Sequence, residues 1–173
     1  MNYNYMNVEY LQKKIGLDPQ GMELCFRFFI LFSRFEYALK RSGFYKDPRD
    51  HDRSLELCWD KAGNKLDPLC KSSLEDYRNR TPSIFENPPK KPMIRPDREI
   101  AWVSPNIQQM STTRQALHIV SSVRNNLFHG GKWPDGPLSD TARDKFLIES
   151  SIEIIEVILN STSEVRGYFT DFP

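Results

Sequence analysis

Between residues 20 and 42 the chain places Leu24, Phe28, Leu31, Phe32, Phe35, Ala38 and Leu39 at intervals of three and four. That spacing predicts a long amphipathic helix with one apolar stripe. Its other side carries Arg27, Arg34, Tyr37 and Arg41, and Gly43 stands just past the end as a stop. A second helix is expected from about Asp52 to Gly63, offering Leu55, Leu57, Cys58 and Trp59 to a core, and a weaker third over "DPLCKSSLEDYRN". Ahead of all these, a short helical lead-in is expected near residues 7 to 15.

The text changes from Thr81 to Pro105, where "TPSIFENPPKKPMIRPDREIAWVSP" holds six prolines. Proline breaks helices and drives its predecessor toward extended backbone, so residues 81–105 read as a long loop with a short strand at "REIAWV". Helical text resumes at about Ile107 and runs to Phe128 or His129 on the stripe Ala116, Val120, Val123 and Leu127, until Gly130 and Gly131 end it. A closing helix follows, with Ser139 or Asp140 as its N-cap and Ile148, Ile152, Ile155 and Leu159 as its buried face. Together these elements predict an all-α fold, a single-domain up-and-down bundle of four to five helices interrupted by the proline-rich loop.

Composition supports one core rather than two. The chain has 173 residues, 39% hydrophobic and 27% charged, with eleven Phe, seven Tyr and three Trp. That is ample apolar material for one domain spanning 1–173. A formal net charge of +1 gives no global attraction for nucleic acid, so any such binding must come from a local patch. Lys90, Lys91, Arg95 and Arg98 against Glu86 and Asp97 supply one, a surplus of two positive charges within the loop.

Cys25, Cys58 and Cys70 are odd in number and widely spaced, which argues against a disulfide framework or a zinc site and for a reducing cytoplasm. The first residues lack a basic start followed by an apolar run, and no stretch reaches the roughly 18 apolar residues of a spanning helix. Neither secretion nor membrane insertion is expected.

Candidate chemistry gathers in "SSVRNNLFHGG", residues 121 to 131. On an ideal helix His118, Ser122, Asn125 and His129 form a polar stripe opposite the apolar one. Arg124 lies about 100° from Asn125 and about 140° from His129, flanking that stripe within reach of the same ligand. A guanidinium grips phosphate oxygens, an imidazole titrates near neutrality and an amide orients either group. This is sufficient for metal-independent RNA cleavage: a base takes the ribose 2′-OH proton, the oxygen attacks the adjacent phosphorus, and a cation stabilises the phosphoryl oxygens. His129 is the acid/base and Arg124 the stabiliser. One histidine cannot serve as acid and base at once, and a two-fold dimer supplies the second.

"RNNLFHGG" resembles the RxxxxH motif of the HEPN superfamily, small α-helical domains in which a polar residue such as Asn follows the Arg and four residues separate Arg from His. The long first helix "FFILFSRFEYALKRSGF", the connector "NPPKKP" and the closing helix "DKFLIESSIEIIEVIL" are also similar to members of that family, over about residues 20–162. The resemblance implies a metal-independent endoribonuclease that dimerises to form a composite site, in a toxin–antitoxin, CRISPR or phage-defence setting and without a cofactor. By it Arg124 and His129 are catalytic and Asn125 positions them.

Some toxin members carry, two residues after the motif histidine, a tyrosine that a partner nucleotidyltransferase modifies; this chain has Gly131 there. Other members have lost catalysis and serve as binding or assembly modules, which sets the alternative: a noncatalytic helical module that binds a nucleotide, nucleic acid or a partner protein. Glu36 is placed to support Arg124, although a Glu36 to Lys40 pair on the helix surface accounts for it equally. His118 reads as a polar-face residue. Lys90, Lys91, Arg95, Lys132 and Trp133 are the expected RNA contacts; Trp59 and Trp102 can also stack on bases but read first as core aromatics.

Overall fold

The computed structural model describes residues 18–47, 55–128 and 141–171. Its elements in chain order are α1 (Pro19–Arg41), α2 (Trp59–Arg80), α3 (Pro82–Glu86), β1 (Lys91–Ile94), β2 (Ile100–Val103), α4 (Thr112–Phe128), α5 (Thr141–Ser161) and α6 (Ser163–Thr170). The described chain is mostly helical, with one small two-stranded sheet. The expected helix over 7–15 and the proposed N-cap at Ser139 or Asp140 lie outside the described residues.

α1 begins where the Asp18 carboxylate accepts the Gly21 N–H at 2.6 Å and Pro19 opens the first turn. It ends as expected at Gly43, whose φ of 82° is the left-handed conformation that glycine adopts without a Cβ penalty. The Gly43 N–H donates to Lys40 O and the Phe44 N–H to Leu39 O, satisfying two carbonyls that the helix end leaves free. Phe28, Phe32, Phe35, Ala38 and Leu39 are buried along the predicted stripe. Arg34, expected on the polar side, is half-buried and donates to the carbonyls of Phe169 at 2.7 Å and Asp171 at 3.0 Å. It thereby caps α6, a helix that the sequence pattern did not suggest.

Two predicted helices prove to be one. Gly63 does not stop the second helix; α2 runs through it and through Pro68 to Arg80. Pro68 is tolerated because it sits on the solvent-facing side of α2. Gly63 is buried against α4, and a Cβ added there would lie 2.5 Å from Arg114 Cγ. The glycine marks a close approach of two helices instead of a turn, and among the described residues α2 with α4 is the most extensive pairing. Residues 55–58, expected within the first turns of that helix, precede it instead: Leu57 bridges Tyr45 and is buried, whereas Leu55 is exposed.

The proline-rich segment is not a long loop. Pro82 occupies the first turn of α3, where its missing N–H costs nothing. An antiparallel hairpin follows, with Lys91 opposite Val103, Pro92 opposite Trp102, Met93 opposite Ala101 and Ile94 opposite Ile100. Proline is admissible here because both strands are edges. The turn uses Pro96 after Arg95, with Arg98 at φ 68° and the Asp97 carboxylate accepting the Glu99 N–H. The strand expected within "REIAWV" is β2; its partner β1 was hidden by proline.

α4 starts at Thr112, five residues later than Ile107, because Ser111 Oγ accepts the Arg114 N–H there. α5 buries Ile148, Ile152, Ile155 and Leu159 as expected, together with Ile154 and Ile158. The buried side chains of all the long helices form one hydrophobic cluster. Within it Tyr77 donates its hydroxyl to Glu153 Oε2 at 2.9 Å, tying α2 to α5, and burial pushes its phenol up to about 12. No helix among the described residues is long and apolar enough to cross a membrane.

Candidate functional site

α4 carries the motif toward the edge of this core. Ala116, Leu117, Ile119, Val120 and Val123 are buried, so the helix is gripped on more than the one stripe that its periodicity suggested. Ser122, expected on an open polar face, is also buried; the expectation fails because α2 and the hairpin base cover that side of the helix as well. Only the last described turn opens, with Arg124 half-buried and Asn125 exposed.

Arg124 is held in two ways. Its guanidinium carbon lies 5.5 Å from the centre of the buried Phe32 ring, and its Nη1 donates to Asn125 Oδ1 at 3.1 Å. The guanidinium thus sits between the Phe32 ring and the Asn125 amide, and its geometry is of the kind that grips phosphate oxygens. Asn125, expected from the sequence to position the site, is thus a hydrogen-bond partner of Arg124. Asn126, which sequence reasoning passed over, is buried and donates its amide to Lys90 O at 2.9 Å, fastening the hairpin to the motif helix. The adjacent pair "NN" was the available signal: two amides one residue apart on a helix face different neighbours.

Arg124 and Asn125 line a cleft of about 190 Å³ together with Ser121 from α4, Phe32, Glu36 and Lys40 from α1, and Leu55, Glu56, Leu57 and Trp59 around the start of α2. Glu36 and Lys40 form the pair anticipated from sequence at 2.6 Å, each about a quarter exposed, and Glu36 lines the same cleft as Arg124. Glu56 pairs with Lys46 at 2.5 Å. Trp59 and Phe32 stand 6.0 Å apart; Phe32 is buried in the core and Trp59 packs half-buried against it, as the sequence indicated, so both reach the cleft only from its floor.

His118 does not line this cleft. Its Nδ1 lies 3.4 Å from Ser122 Oγ, and burial, then the Lys91 ammonium, hold its pKa below 6.5 against an opposing effect from Asp60. Asp60 in turn pairs with Arg114 across the α2–α4 contact. Lys90, Lys91 and Arg95 are exposed along the hairpin, whose base is tied to α4 through Asn126. His129, Lys132 and Trp133 lie outside the described residues, as does His51. Comparison with protein-family models, curated proteins and solved structures finds no match to this chain.

Proposed function

We propose that this protein is a HEPN-type, metal-independent endoribonuclease built as an up-and-down helical bundle and acting as a homodimer. Arg124 binds the scissile phosphate and stabilises the charge that builds on its oxygens. His129 moves the proton of the ribose 2′-OH, and the same residue of a second copy protonates the leaving oxygen. Asn125 holds Arg124 in position. Lys90, Lys91 and Arg95 on the hairpin, with Lys132 and Trp133 beyond the motif, guide single-stranded RNA to the cleft.

The observation that carries this reading is the setting of Arg124. A guanidinium stacked on a buried ring, hydrogen-bonded to its neighbouring amide and standing at the rim of a cleft is preorganised for a phosphate. His129 follows five residues after it, outside the described residues, and is assigned by the motif. The setting we infer is cytoplasmic, in toxin–antitoxin or phage-defence systems, with a nucleotidyltransferase-type antitoxin or another defence protein as partner.

The test is to incubate the purified protein with single-stranded RNA in EDTA and to identify the fragment ends. The reading expects cleavage, with 2′,3′-cyclic phosphate on one fragment and 5′-hydroxyl on the other, from a protein that sediments as a dimer. Intact RNA, or 3′-hydroxyl ends, would overturn it.

A further inference from the structure

We propose that the cleft beside Arg124 seats one unstacked guanine of the RNA, making the enzyme guanine-directed. This inference rests on the reading of Arg124 as the phosphate-binding cation and adds a base preference to it. At about 190 Å³ the cleft is smaller than the ~300–1,000 Å³ of drug and cofactor pockets, so it suits one flat ring rather than a dinucleotide. Its walls combine what an unstacked base needs: the half-buried Trp59 ring, backed by the buried Phe32, for stacking and charged groups at the edge.

The charged edge selects among bases. Glu36 offers two carboxylate oxygens that only accept hydrogen bonds, and the Lys40 ammonium 2.6 Å away only donates. Guanine presents two adjacent donors, N1–H and the N2 amino group, next to the O6 acceptor. The carboxylate takes the two donors and the ammonium gives to O6. Uracil has one N–H between two carbonyls, and adenine and cytosine each have one amino group beside a ring acceptor that would face the carboxylate. Each of these leaves an oxygen of Glu36 unused or opposed. Both groups are about a quarter exposed, so a ligand reaches them. The guanidinium of Arg124, at the same cleft, then meets the phosphate attached to that nucleoside.

Titration calorimetry of the full chain with the four nucleoside 3′-monophosphates tests this without requiring cleavage. Guanosine 3′-monophosphate should bind at least tenfold more tightly than the other three. Glu36→Gln, which keeps shape but converts one acceptor to a donor, should shrink that preference to threefold or less. Arg124→Ala should weaken the nucleotide tenfold while leaving guanosine itself unchanged, and an unaltered unfolding midpoint verifies that each variant is folded. Equal affinities for the four nucleotides, no binding at millimolar concentration, or a preference untouched by Glu36→Gln would overturn the proposal. RNA cut without regard to base, with no guanine preference in binding, would remove this inference and leave the nuclease; selective guanine binding without RNA cleavage would do the reverse.

Discussion

From Thr112 to Val120 no residue of α4 is exposed and only Arg114 and His118 are half-buried rather than buried; from Arg124 to Leu127 the same helix opens on one side, with Asn125 exposed, Arg124 and Leu127 half-buried and Asn126 still buried. The first stretch is fixed by packing against α2 and α5, and the second borrows that rigidity to hold polar groups over a cleft. One helix thus separates support from chemistry along its length. Substitutions in the enclosed stretch should therefore cost stability, and those in the open turn should cost activity at nearly constant stability.

The largest stability effect should come from Gly63→Val. A Cβ at Gly63 meets Arg114 Cγ at 2.5 Å, and a branched side chain must force α2 and α4 apart. Urea unfolding should show a loss of about 2–3 kcal/mol, the upper part of the range for overpacking. A loss under about 0.5 kcal/mol would mean that the helices do not approach so closely and that the enclosed half is loosely held.

Asn126→Ala should have the next effect, because it belongs to both regions. Removing the amide leaves the Lys90 carbonyl without its donor, a cost of about 1–2 kcal/mol. Hydrogen exchange should speed up in Met93–Ile100 of the hairpin more than in the helices, and uniform acceleration would show that the hairpin is not separately anchored.

The smallest effect is a pH dependence. His118 has a folded pKa below its unfolded value, so the unfolded chain binds more protons as pH falls through about 6.5. Stability attributable to this residue is fully present above that pH and declines below it, until the folded form also protonates. Denaturation at pH 7.5 and 5.5 should show a smaller loss on acidification for His118→Gln than for the parent chain. Equal losses would place His118 in a solvated setting and return it to the open polar face predicted from periodicity.

Much of the helical frame was legible in the sequence because apolar spacing reports burial directly. Phe28 to Leu39 and Ile148 to Leu159 bury the side chains their periods indicate, and Gly43 ends α1 as a left-handed cap. The failures share a cause: glycine and proline were read as punctuation, whereas their meaning depends on what lies opposite. Gly63 faces Arg114 across a helix contact, Pro68 faces solvent, and Pro92 lies in an edge strand paired on one side only, to β2. None of those neighbours is near in sequence. The cleft was legible only in part. Arg124, Asn125 and Glu36 stood out by residue type and spacing, but Trp59 and Lys40 join them through the packing of α1 against the start of α2.

The division of labour along α4 is tested most directly by cleavage rates for the parent protein, Arg124→Ala and His129→Ala, each paired with its unfolding free energy. The account predicts that both substitutions slow RNA cleavage by at least ~100-fold, the scale of a lost acid/base or charge-stabilising group. Stability should change by no more than about 1 kcal/mol, allowing for the contact of Arg124 with Phe32. Cleavage that persists undiminished in both variants would contradict it.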